Sequence, residues 1–257
     1  MKKLGLFSFL TLATQFVSAQ TKITDLSQPA LNGHVKQVIE YVFRGNDDID
    51  TLKNSEKNIL YFDEKGNQLR EIDFDKEGEM QAVFMFKYQG DTVVTKNQFY
   101  KNELSGKYVY KYDTLGNEIE FDTYSYSQNI VPQKIYIKYR YDNSKKRIAE
   151  DTYINDRLTT TDTLIYNDKD QKTEVDSYSN AFLSQKIKYQ YDPQGNETGF
   201  NNYNANGVLV NSNEILYNGF DTQGNWTMIT SVYKGFGKSP QENYLNKTIK
   251  KRTITYY

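Results

Sequence analysis

Apolar and polar residues alternate with period two through much of this chain. In Phe84-Met85-Phe86-Lys87-Tyr88, Tyr108-Val109-Tyr110-Lys111-Tyr112 and Ile187-Lys188-Tyr189-Gln190-Tyr191, aromatics hold one parity and Lys, Gln or an aliphatic residue the other. That is the pattern of strands with two unlike faces. Between the strands one phrase recurs: Phe62-Asp63-Glu64-Lys65-Gly66-Asn67, Tyr112-Asp113-Thr114-Leu115-Gly116-Asn117, Tyr191-Asp192-Pro193-Gln194-Gly195-Asn196 and Phe220-Asp221-Thr222-Gln223-Gly224-Asn225, with worn copies at Tyr141-Asp142 and Tyr166-Asn167-Asp168. Asp at the head of such a phrase accepts a hydrogen bond from the N–H two residues on, and Gly supplies the positive φ that closes a type I turn into a bulged hairpin. The phrase is therefore turn chemistry and implies no ligand.

Tyr112, Tyr141, Tyr166, Tyr191 and Phe220 stand 29, 25, 25 and 29 residues apart, and Phe62 lies 50 before Tyr112. A second aromatic falls near the middle of each unit, as at Phe74, Tyr100, Tyr153 and Tyr203, so each unit holds two strands and two turns. With 23 Tyr and 14 Phe, the composition suits strands better than helices, and no helix is expected after the leader. The fold class that follows is all-β: a repetitive antiparallel meander of about 14 strands, curled or spiralled as a single sheet or open barrel, because twist accumulates and long flat edges aggregate. Parity after the turn changes between copies: Ile72 and Phe74 keep phase in one, Glu120 and Tyr124 in another. Bulges would account for the slip, and the core face stays open at this point.

Basic residues such as Lys87, Lys111, Lys138, Arg140, Lys186 and Lys188 precede the Gly-Asn turns, whereas Glu118, Glu120, Asp122, Glu174, Asp176 and Glu197 follow them. Opposite charges across a hairpin fix register. The ends of the chain add an address. Met1-Lys2-Lys3, an apolar run to Val17 and the small-x-small Val17-Ser18-Ala19 predict a secretory signal peptide over 1–19, followed by a tether over 20–30 and one β-repeat domain over 31–257. The apolar run is too short to span a bilayer and no second one follows. Without cysteine there is no disulfide and no site for an acyl anchor. The expected location is the periplasm or the cell exterior, with both left open. A formal charge of −1, interleaved rather than segregated, gives no electrostatic ground for a nucleic-acid or anionic-lipid partner.

The repeats resemble the YD repeats of RHS-type proteins, and small exported bacterial YD-repeat proteins most of all. Leu31-Asn32-Gly33-His34-Val35-Lys36-Gln37-Val38 is similar to their opening strand, and Asp221 to Thr227 with Arg252-Thr253-Ile254-Thr255-Tyr256-Tyr257 to their closing unit. The resemblance implies a β-repeat fold and a carbohydrate ligand, but assigns no binding residue.

Little else points to chemistry. His34 is the single histidine, without partners for nucleophilic catalysis or a zinc site. The off-pattern acids Asp47, Asp48, Asp50, Asp91 and Glu242 carry no supporting motif for a carboxylate pair. Gly235-Phe236-Gly237-Lys238-Ser239 lacks the first glycine and the strand-to-helix setting of a phosphate loop. Gly45-Asn46 and Asn167-Asp168-Lys169-Asp170 offer oxygens but lack the calcium-loop glycine and closing Glu, so solvated turns are expected. No catalytic residue, metal or cofactor is assigned. Trp226 stands where other copies carry Gln68, Glu118 and Glu197, a slot expected to face water. It either stacks on a sugar or partner, or seals the sheet beneath residues 234 to 247. Tyr108 and Tyr110 are the other candidate ligand contacts. The function expected is non-catalytic binding of a glycan or an envelope protein, against two alternatives: a polysaccharide hydrolase with an unidentified acid pair, and a sheet that stacks edge to edge.

Overall fold

The computed structural model describes residues 20–21, 31–45, 55–90, 92–126, 134–237 and 242–257; the expected signal peptide, most of the tether, and Asp47, Asp48, Asp50 and Asp91 lie outside them. The strands are β1 (Gln20–Thr21), β2 (Leu31–Asn32), β3 (Val35–Arg44), β4 (Glu56–Phe62), β5 (Gln68–Phe74), β6 (Met80–Gln89), β7 (Thr92–Tyr100), β8 (Glu103–Tyr112) and β9 (Glu118–Ser125). They continue with β10 (Ile135–Tyr141), β11 (Arg147–Ile154), β12 (Arg157–Tyr166), β13 (Lys172–Ser179), β14 (Phe182–Tyr191), β15 (Glu197–Asn204), β16 (Leu209–Phe220), β17 (Trp226–Gly235) and β18 (Tyr244–Tyr256).

Strands β3 to β18 pair antiparallel in sequence order, and β18 returns to pair with β3. The meander is thus a closed barrel of sixteen strands, two more than the repeat count suggested and closed rather than open. Closure has a physical reason: joining the two edge strands removes every unpaired backbone edge. Strands β1 and β2 pair with each other in a separate two-stranded ladder, and β2 packs against the barrel through Leu31 and Asn32.

All the D-x-x-G-N turns lie at one end. In the 63–67 turn, Asp63 Oδ1 accepts from the N–H of Lys65 at 2.9 Å and of Asn67 at 2.8 Å. Asn67 Nδ2 donates to the other carboxylate oxygen at 3.0 Å. Gly66 takes φ +82°. The copies at Asp113 and Asp192 repeat the Asn-to-Asp bond at 2.9 and 2.8 Å, which explains why Asn follows Gly. Where Gly is missing, Lys145 and Asp170 adopt the left-handed conformation themselves.

The parity slip is real and systematic. Pairing shifts at Phe62, Tyr112, Tyr141, Tyr166 and Tyr191 beside these turns, and at Phe74, Phe99, Tyr153, Tyr178 and Tyr203 towards the other end. Each bulge inserts one unpaired residue and flips the strand beyond it. The turn tyrosines then tie neighbouring strands together. The hydroxyls of Tyr88, Tyr141, Tyr191 and Tyr217 donate to the carbonyls of Gln68, Glu118, Lys172 and Glu197 at 2.7 to 3.0 Å.

Ladder partners share a face, so register separates the two walls. On one wall Leu31 packs with Val35, Val38, Leu60 and Phe62, joined by Ile254 and Tyr256. The same wall carries Phe84, Phe86, Lys96, Tyr108, Tyr110 and Phe121. This is the inner wall. The other wall carries the charge pairs the sequence pattern called for: Lys111 with Glu120 and Asp122, Arg140 with Asp151, and Lys186 with Glu174 and Asp176. A sixteen-stranded barrel encloses more space than its inward side chains can fill, and most inner-wall side chains are only partly buried.

Candidate functional site

Of the three ligand candidates, the structure groups Tyr108 and Tyr110 and sets Trp226 elsewhere. Trp226 opens β17 and is buried, with the Arg252 guanidinium 3.5 Å from its ring centroid. Its slot does not face water in the other copies either. Phe62 pairs with Gln68, Tyr112 with Glu118, Tyr191 with Glu197 and Phe220 with Trp226, and the bulge turns all four second members inward. Gln68 is buried, and burial raises the carboxyl pKa of Glu118 and Glu197. The expectation of a solvent-facing slot failed because one extra residue per turn reverses which parity points in.

Beside Trp226 the barrel closes. Arg252 Nε donates to Glu40 Oε2 at 2.8 Å and Lys250 Nζ to Oε1 at 3.0 Å. The last turn copy is altered to serve this closure. Asn225 Nδ2 leaves the pattern and donates to the carbonyl of Asn32 and to the Tyr256 hydroxyl, at 2.9 and 2.8 Å. Asn225 Oδ1 accepts from the Asn32 N–H at 2.7 Å. Tyr256 in turn donates to Asp221. Trp226 is thus part of a joint between the two ends of the chain.

Tyr108 and Tyr110 occupy β8 on the inner wall, half-buried. Tyr108 lies opposite Lys96 on one side and Thr123 on the other, and Tyr110 opposite Phe121. The Tyr108 and Phe121 rings stack at 5.8 Å with 15° between planes, and Tyr110 tilts onto Phe121 at 5.0 Å. The Tyr108 hydroxyl donates to Gln98 Oε1 at 3.0 Å, and burial raises its pKa. Gln98 can lie over β8 because Gly106 is opposite it; a Cβ there would stand 3.1 Å from Gln98 Oε1.

Sequence reasoning left two charged members of this patch unnamed. Lys96 Nζ lies 4.2 Å from the ring centroid of Phe84, 5.4 Å from Phe86 and 5.6 Å from Tyr108. Asp73, on β5, has its pKa raised by burial while the Lys96 charge pulls the other way. Asp73 Oδ1 is buried with no hydrogen-bond partner among the described residues. The signal available was the short aromatic run Phe84-x-Phe86, but only the ladder shows that Lys96 meets it.

The remaining candidates lie in turns or at the surface. His34 is exposed, 3.4 Å from the Glu64 carbonyl, and Glu242 is exposed. Asn167 Oδ1 accepts from the N–H groups of Lys169 and Gln171, and Asp170 pairs with Lys146. Gly235 ends β17, while Lys238 and Ser239 lie outside the described residues.

No family model matches the chain, and no curated protein matches it. Among solved structures, a porin-like protein from Bacteroides uniformis superimposes with a TM-score of 0.57 at 8% identity, over 86% of this chain and 96% of that one. At that identity the likeness is one of fold. TcdB2-TccC3 without its hypervariable C-terminal region aligns at 10% identity over 74% of this chain and 15% of its own, with a TM-score of 0.20, too low to compare folds.

Proposed function

We propose that this chain is an exported, non-catalytic β-barrel of the cell envelope that binds carbohydrate on the inner wall of its lumen. The observation that carries this reading is the patch formed by Phe84, Phe86, Tyr108, Tyr110 and Phe121, interrupted by the polar groups of Lys96 and Gln98. Aromatic faces pack against the C–H faces of pyranose rings, while amide and hydroxyl groups beside them meet the sugar hydroxyls. The Val17-Ser18-Ala19 leader pattern supports export, and the resemblance to YD-repeat proteins supports a glycan ligand. Trp226 belongs in this reading to the barrel joint, not to the ligand surface.

A lipid-embedded pore is the function that the name of the porin-like neighbour brings forward. The walls of this barrel oppose it. A membrane barrel needs an outward apolar band, whereas Lys111, Glu120, Arg140, Asp151, Glu174 and Lys186 stand on the outer wall within the strands. The inner wall is charged too, at Glu40, Asp73, Lys96 and Arg252, so neither wall offers such a band.

The test is titration of the purified protein with a panel of oligosaccharides, read by calorimetry. Tyr108→Ala and Tyr110→Ala should each weaken capture by about 1–3 kcal/mol, the scale of a lost aromatic contact, with the far-UV spectrum unchanged. Failure of the unaltered protein to bind any member of the panel would overturn the reading.

A further inference from the structure

Resting on that lumen reading, we propose that the Lys96 site selects sugars carrying an anionic group, a carboxylate or a sulfate, over neutral ones. The Lys96 ammonium is held among Phe84, Phe86 and Tyr108, yet among the described residues it makes no hydrogen bond and no ion pair. Ring quadrupoles attract a cation, but they do not replace the acceptors its three N–H groups need. Two other inward cations seated on rings are provided for. Arg252, over Trp226, has Glu40, and Arg147, 3.7 Å from the Tyr139 centroid, has Glu150 at 3.4 Å. Lys172, 4.7 Å from the Tyr189 centroid, shares with Lys96 the lack of an ion pair among the described residues, but of the two Lys96 alone stands beside stacked rings, those of Tyr108 and Phe121.

The nearby acid sharpens the ligand class. Asp73 feels the Lys96 charge without forming an ion pair with it, and its Oδ1 accepts nothing. A ligand that completes the site therefore brings an anionic oxygen to Lys96 and a hydroxyl donor to Asp73, together with an apolar face for the Tyr108 ring. A uronic acid or a sulfated pyranose has all three. An acidic peptide has the anion but no hydroxyl placed beside it on a flat C–H face, and a neutral sugar leaves the ammonium unpaired.

Calorimetry on the full chain, with oligogalacturonate, a sulfated galactan oligosaccharide, a neutral oligosaccharide of equal length and an oligoglutamate peptide, tests this. At least one anionic sugar should bind about tenfold more tightly than the neutral one, and rising salt should erode that preference. Lys96→Met should abolish the preference while neutral binding persists, Lys96→Arg should keep it, and Lys87→Met, on the exposed outer wall, should leave it unchanged. Because the wild-type salt dependence needs no variant, the test stands even where Lys96→Met fails to fold. Equal affinity for neutral and anionic sugars would overturn this inference and leave the lumen reading intact. Oligoglutamate binding as well as oligogalacturonate would also overturn it, since a bare anion would then suffice. Binding of no sugar would overturn both.

Discussion

Glu40 and Arg252, separated by 212 residues in sequence, form the ion pair that joins the ends of the barrel, with Nε to Oε2 at 2.8 Å and both side chains 3% exposed. Lys250 takes the second carboxylate oxygen at 3.0 Å. Burial by itself would raise the Glu40 pKa, but the charges of Arg252 and Lys250 and their hydrogen bonds outweigh it and hold the carboxyl below its ordinary range. The pair sits where β18 meets β3, the barrel ladder that joins strands not consecutive in sequence.

Removing the acid alone should open this joint. Glu40→Gln leaves a buried guanidinium uncompensated and should cost about 3–5 kcal/mol, whereas Glu40→Met with Arg252→Met should cost much less, because the one charge left without its partner, Lys250, is partly exposed to water and no buried charge is stranded. A carboxyl with a depressed folded-state pKa contributes stability that is present above its unfolded value and lost as pH falls through the folded one. Urea unfolding of the wild type should accordingly show stability declining on acidification below the ordinary glutamate range. The double variant should show a shallower decline; equal slopes would contradict the assignment.

Trp226 is the single tryptophan of the chain, so its fluorescence reports on the joint. Its indole should emit at short wavelength in the folded protein and shift red on unfolding. Trp226→Ala removes a buried ring and should destabilise by about 3–5 kcal/mol. Sugar titration of the folded fraction should be unaltered. A loss of affinity without a loss of stability would return Trp226 to the ligand surface.

The turns and strands of this fold could be read from local chemistry, and closure could not. Asp63, Asp113 and Asp192 announce hairpins because their bonds span only two to four residues, and the need for bulges followed from the failing parity at Glu120 and Tyr124. The partnership of Glu40 with Arg252 leaves no local mark, since it joins strands that no turn connects. The inward slot of Gln68, Glu118 and Glu197 was misread as solvent-facing because a bulge beside each turn reverses the faces. Lys96 escaped notice for the same reason. Lys87 and Lys96 look alike in sequence, yet the register of β6 and β7 sends Lys87 outward and Lys96 onto Phe84 and Phe86.

The altered last turn yields a comparison between identical side chains. Asn117 makes one side-chain bond, to Asp113, so Asn117→Ala should cost about 1 kcal/mol. Asn225 makes three, two to Asn32 and one to Tyr256. Asn225→Ala should therefore cost about 2–4 kcal/mol at the usual net value per bond, and should expose Asn32 to faster amide exchange. Equal costs in thermal unfolding would mean that the joint with the N-terminal strand contributes nothing to stability.

The outer wall of this barrel carries charge where the lipid face of a membrane barrel is apolar. Lys111 contacts both Glu120 and Asp122, and Lys186 both Glu174 and Asp176; each cluster stands on paired strands, facing away from the lumen. On the lipid face of a membrane barrel a single Lys costs about 2–4 kcal/mol at the midplane, and this wall carries several. The folded protein should therefore partition into the aqueous phase in a detergent phase-separation assay and should not float with liposomes. Replacing Lys111, Glu120 and Asp122 together with leucine should create an apolar patch and raise detergent binding. Recovery of the unaltered protein in the detergent phase, with its strand spectrum intact, would require these clusters to be hidden from lipid and would overturn the placement of the outer wall.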